Sequence, residues 1–94
     1  MLKLITTADA RLDLQDAVVY YNRQQAGLGR RFEKIIKQSI KRIQQMPQAA
    51  SFVYDTVRYK VVDKFPFIIT YEATGDTIII LRVFNELQNP QKLK

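Results

Sequence analysis

An arginine set between Leu81 and Val83 interrupts the most apolar run of this chain, and its charge demands a partner. Read as an alternating strand, the run puts Arg82 on the face of Ile80 and Phe84, with Ile79, Leu81 and Val83 on the other. A buried, unpaired guanidinium costs on the order of several kcal/mol. Arg82 must therefore emerge on an open sheet face or pair with an acid such as Glu72 or Asp63. Arg58 and Lys60 share one face of an earlier alternating stretch; if that face is also open, three cations converge. Such a set can clamp an anion, but arginine stays protonated and makes a poor base. The plainer reading is a solvated sheet face whose cations pair across strands with Asp or Glu.

A second set lies upstream. Arg30, Lys34, Lys37 and Lys41 recur at i, i+4, i+7 and i+11, one stripe of a helix. The net charge is +6 over 94 residues, and residues 27–46 carry +5 of it, with Glu33 the lone acid there. Arg30 and Arg31 fall in the first helical turn, where the helix dipole disfavours each cation by about 0.3–1 kcal/mol. A solvated face opposite an apolar one explains the stripe; an acidic partner, nucleic acid or protein, explains why it is kept against that cost.

The sequence has no histidine and no cysteine. The usual zinc ligands, every Ser-His or Cys-His nucleophile and the commonest general acid–base residue are thereby excluded, and no metal or cofactor is expected. The Gly-Leu-Gly at 27–29 lacks the preceding strand and full glycine spacing of a phosphate loop, and reads as a helix–helix turn. No apolar run reaches the roughly 18–20 residues that span a bilayer. The opening "MLKLITTADARLD" lacks a small-residue cleavage site and does not read as a signal peptide, so a cytoplasmic location is expected.

These residues need elements to hold them. "LKLI" reads as a short strand. A helix follows, with Ala10, Leu14, Ala17, Val18 and Tyr21 on one face, capped by Thr6 or Thr7 and stopped at Gly27. A second helix carries Leu28, Phe32, Ile35, Ile36, Ile43 and Met46, and ends at Pro47. From residue 52 the period becomes two: "FVYD", "TVRYKVVD", "FPFIITYEA" and "TIIILRVFNE" read as strands, the last pair joined by the turn "TGD". The expectation is one α+β domain over residues 1–94, with a tail frayed from about residue 88. In it an antiparallel two-helix hairpin packs on a mostly antiparallel sheet, in the order β-α-α-β-β-β(-β). Tyr20, Tyr21 and Tyr71 read as core-edge residues rather than base-stacking platforms.

The order and spacing of several landmarks resemble the RelE/ParE superfamily of bacterial toxin–antitoxin toxins, and more closely its ParE side. They are Ala10-x-x-Asp13-Leu14, Tyr20-Tyr21, "GLGRRF" (27–32), "IQQMP" (43–47), Val57-Arg58, "FPFIITY" (65–71) and "IIILRVFNELQNP" (78–90). The resemblance implies a toxin of a type II pair, neutralised by a cognate acidic antitoxin that the stripe Arg30, Lys34, Lys37 and Lys41 would meet. RelE-like members cut messenger RNA on the ribosome and ParE-like members are linked to DNA gyrase, so fold alone does not choose between them. Arg58 and Arg82, and more loosely Lys60, match the strand positions with which ribonuclease relatives grip substrate, and they are the expected target-binding residues. Where many relatives place a histidine after the final strand, this chain has Asn85, whose amide cannot trade protons near neutral pH. For a nuclease, Arg58, Lys60, Arg82, Asn85 and Glu86 would be the residues available. The leading expectation is a ParE-like toxin that binds a target such as gyrase. The alternatives are a RelE-like endoribonuclease and a degenerate, non-toxic binding module of the same fold. The assemblies expected are a homodimer or a toxin–antitoxin hetero-oligomer.

Overall fold

The computed structural model describes residues 2–87; the frayed tail expected from about residue 88 lies outside them. Its elements are β1 (Lys3–Thr6), α1 (Ala8–Gln24), α2 (Leu28–Gln45), β2 (Phe52–Tyr54), β3 (Val57–Val61), β4 (Phe67–Thr74) and β5 (Thr77–Asn85). The expected α+β architecture is what forms. One five-stranded sheet runs in the order β1-β5-β4-β3-β2, antiparallel except where β1 lies parallel to β5. The apolar β4 and β5 are central, and the α1–α2 hairpin covers one face.

Thr7 starts α1. Its hydroxyl oxygen accepts from the Ala10 N–H at 3.1 Å and donates to the Leu81 carbonyl at 2.8 Å, which ties the helix start to β5. Gly27 stands at φ +85°, the left-handed conformation that turns the chain into α2. Gly29 is buried at the crossing: a Cβ there would lie 2.3 Å from the Val18 carbonyl oxygen. Its N–H instead donates to the Asn22 side chain at 2.8 Å.

The core between the layers is built from the expected helix faces, except that Met46 is 66% exposed, and from alternate residues of β4 and β5. Phe32, Ile36, Ile69, Tyr71, Ile78 and Ile80 are fully buried, and burying a side chain of this kind contributes about 1.5–3 kcal/mol. Tyr21, Phe32, Phe65 and Phe67 form an aromatic cluster with centroid separations of 4.7–5.2 Å for its closest pairs. Tyr71 thus belongs to the core and Tyr21 packs against its edge as expected, whereas Tyr20 is exposed.

The register corrects two expectations. Thr70 pairs with Arg82 but Tyr71 pairs with Ile80, so Leu81 is an extra residue, a β-bulge. Beyond it the alternation shifts by one. Ile78, Ile80 and Val83 all belong to the helix-side core, and Arg82 takes the opposite side, away from Ile80. On β3, Arg58 pairs with Tyr71 and Lys60 with Ile69, both core residues. The face shared by Arg58 and Lys60 is therefore the helix side, and the three cations do not converge on the open face.

Candidate functional site

Arg82 is held by Asp13 of α1. Its Nε donates to Asp13 Oδ2 at 2.7 Å and its Nη2 to Asp13 Oδ1 at 2.9 Å, a bidentate pair. Asp13 Oδ2 also accepts from the Val83 N–H at 3.0 Å. The carboxylate thus closes both the guanidinium and the backbone of the bulge, where β5 runs past the end of β1. The Asp13 hydrogen bonds raise the Arg82 pKa above the ordinary guanidinium value; partial burial opposes this, and the charges of Asp13 and Asp9 add to the rise. Neither Glu72 nor Asp63 is the partner: Asp63 pairs with Arg42 at 3.3 Å.

Arg58 works differently. Its Nη1 donates to the Ala50 carbonyl at 2.6 Å and to the Gln48 carbonyl at 3.3 Å, and its guanidinium carbon stands 4.0 Å from the centroid of Phe52. It staples the loop after α2 to the sheet. Beside it, the Tyr71 hydroxyl donates to the Pro47 carbonyl at 2.8 Å. Burial raises the Tyr71 pKa above the ordinary phenol value, with the Arg58 charge opposing. Lys60 lines a depression near the end of α2 with Arg42 and Met46. Asn85 lines another, between α1 and the end of β5, which Arg82 also borders; its Oδ1 accepts from the Leu87 N–H. Glu86 is exposed, its N–H donating to the Pro66 carbonyl. Arg82 and Asn85 thus share one depression, with Glu86 next in the chain, whereas Arg58 and Lys60 lie on the helix side of β3.

The α2 stripe does form. Arg30, Lys34, Lys37 and Lys41 are all exposed and line one shallow groove with Glu33 and Gln38. Among the described residues Glu33 reaches only Lys37, at 4.0 Å, an exposed pair of little energetic weight.

The sequence matches the family model of the ParE toxin of type II toxin-antitoxin system, parDE, over residues 4–90. The chain belongs to the ParE toxin family. A solved chain described as the chromosomal ParDE TA system from P. aeruginosa is similar to it at 25% identity and a TM-score of 0.81, covering 90% of this chain and 96% of that one. No curated protein matches. Among the described residues no helix of this ParE-family chain is long and apolar enough to cross a membrane.

What the residue pattern alone did not reveal in this ParE-family chain is the role of Asp13. It stands among the landmarks of the resemblance, and it borders the apolar face of α1 nearly two turns after the cap. Those two features were the available signal. The acids Asp9, Asp55 and Glu72, which face a cleft on the open side of the sheet, carried no periodic signal at all.

Proposed function

We propose that this protein is a toxin that acts by binding its target, DNA gyrase, and that a cognate acidic antitoxin neutralises it. The observation that carries the reading is the separation of Arg82 from Arg58 and Lys60, which lie on the other side of the sheet. Arg82 is closed by Asp13 and Arg58 by two carbonyls, while Lys60 stands by the end of α2. The carboxylate that adjoins Arg82 is Asp13, and its oxygens are already taken by the guanidinium and the Val83 N–H, which disfavours it as a base for 2′-hydroxyl attack. Membership of the ParE family and the likeness to a chain of a ParDE system support an antitoxin partner. The exposed α2 stripe and the groove along it supply the complement for an acidic segment that folds on docking across the helix pair. Arg82 and Arg58 act in this reading as organisers of the target-binding surface.

Two assays on the purified protein test it. Inhibition of gyrase supercoiling is expected, with ribosome-bound messenger RNA left intact at the A site. Reproducible A-site cleavage that Arg82→Ala abolishes would replace this reading with a ribosome-dependent nuclease. Inactivity in both assays, with no growth defect on induction, would leave a non-toxic binding module.

A further inference from the structure

The basic stripe of α2 does not end on bare surface. One turn beyond Lys41 stands Gln45, and Gln45 lines a cavity of about 450 Å³ between the last turn of α2, the loop that follows it (46–51) and β3. The cavity is walled by apolar groups. Ile43 and Tyr71, both buried, line it from the core, while Met46 and Val61, 66% and 55% exposed, line it from the surface.

Its loop wall is tied back by the protein itself. Arg58 holds the Gln48 and Ala50 carbonyls, and the Tyr71 hydroxyl holds the Pro47 carbonyl. A cavity shaped in this way spares a ligand the cost of ordering the loop on binding. The charged lining is Arg42 and Lys60, and among the described residues no carboxylate lines it. Arg42 already meets Asp63 at 3.3 Å; Lys60 forms no ion pair among the described residues.

We propose that this cavity seats an apolar side chain of the antitoxin segment, with a carboxylate one or two residues along that segment meeting Lys60. The inference rests on the proposed function and supplies what the stripe lacks. Exposed cations draw an acidic segment along α2 but hold it weakly. A side chain set against Ile43 and Tyr71 removes apolar area from water, which gives a docked segment its anchor. A lone anion would meet the cations and leave those apolar walls uncovered.

Two measurements test it. Isotope-labelled protein is first titrated with acetyl-Gly-Leu-Glu-Gly-amide and followed by its backbone amide signals. Shifts are expected at Ala49, Ala50, Ser51, Lys60 and Val61. Alanine in place of the peptide's leucine should weaken binding about 10- to 30-fold. Glutamine in place of its glutamate should weaken it about 2- to 5-fold, and Lys60→Gln should abolish that difference. The lifetime of the complex with the cognate antitoxin is then compared in Val61→Asp and Met46→Asp, both at exposed positions, with thermal unfolding as the check on folding. Each should shorten the lifetime by about 10-fold or more, with a smaller change in association. A protein that its antitoxin does not neutralise at all refutes the proposed function. Neutralisation with an unchanged lifetime in both variants overturns this inference alone, as do peptide shifts centred elsewhere or equal affinity for the leucine and alanine peptides.

Discussion

Asp13 and Arg82 exchange two hydrogen bonds, and Asp13 takes a third from the Val83 backbone. Sequence alone suggests that an exposed or rim cation can be removed with little loss. The geometry says otherwise. Arg82→Ala should lower stability by about 1–2 kcal/mol, the lower part of the range for bonds to charged groups because the pair is partly solvated. Arg82→Lys should recover only part of the loss, since an ammonium cannot reproduce the bidentate fork. Asp13→Asn combined with Arg82→Ala should cost less than the sum of the single changes; urea unfolding of the four proteins measures this, and strict additivity would show that the two side chains do not support one another. Tyr71 gives a pH-dependent case. Its pKa is raised in the folded state, so its contribution is fully present below the unfolded phenol value of about 10 and is lost as pH rises through the higher folded one. Tyr71→Phe should cost about 0.5–1.5 kcal/mol near neutrality through the lost bond to Pro47. It should also flatten the alkaline fall in stability; an unchanged alkaline slope would refute the assignment.

At the scale of elements, the strands and helices were legible because their periods differ so sharply. The aromatic and branched residues of α1 and α2 repeat on one helical face, and those of β4 and β5 form apolar runs interrupted by Thr70 and Arg82. Register was less legible, and that decided the site. Ile78 to Leu81 are all apolar, so nothing in the run shows that Leu81 is the extra residue. One inserted residue sends Arg82 to the face opposite Ile80. On β3 the alternation is plain, but Val57 and Tyr59 look as fit for a core as the opposite side. Arg58 can sit on the helix side because loop carbonyls and the Phe52 ring receive its charged end. The helix crossing offers its own prediction. Gly29→Ala sets a Cβ against the Val18 backbone oxygen and the Asn22 side chain, and should cost about 1–3 kcal/mol by forcing the helices apart. Gly27→Ala meets no atom within 4 Å and bears only the left-handed strain, about 1–2 kcal/mol. Thermal unfolding should show another contrast: Asn22→Ala, which removes one wall of the Gly29 contact, partly rescues Gly29→Ala and leaves Gly27→Ala uncorrected. Equal rescue of both would mean that the close approach is not what fixes Gly29.

Across the whole molecule the two faces carry opposite signs. The outer side of the helix layer bears Arg30, Lys34, Lys37 and Lys41, and the open side of the sheet bears Asp9, Asp55 and Glu72. An acidic segment approaching this protein is drawn toward α2 and turned from the opposite side, so the charge orients the encounter as well as speeding it. The stripe cations are exposed and barely paired. Exposed charges of this kind steer association far more than they hold a formed complex, whose lifetime rests on the apolar groups it buries. Lys34→Glu, Lys37→Glu and Lys41→Glu together should therefore slow association with the proposed antitoxin at low ionic strength, by about 10-fold or more, with a smaller change in dissociation. The Debye length falls from about 10 Å at 0.1 M salt to roughly 4 Å near 0.5 M. Over that range the association rates of the wild-type and reversed proteins should converge. Stopped-flow mixing at several salt concentrations measures both rates. An association rate indifferent to the reversals and to salt would reduce the stripe to a solvated helix face, whereas a change confined to dissociation would place the lysines inside the docked interface rather than at its rim.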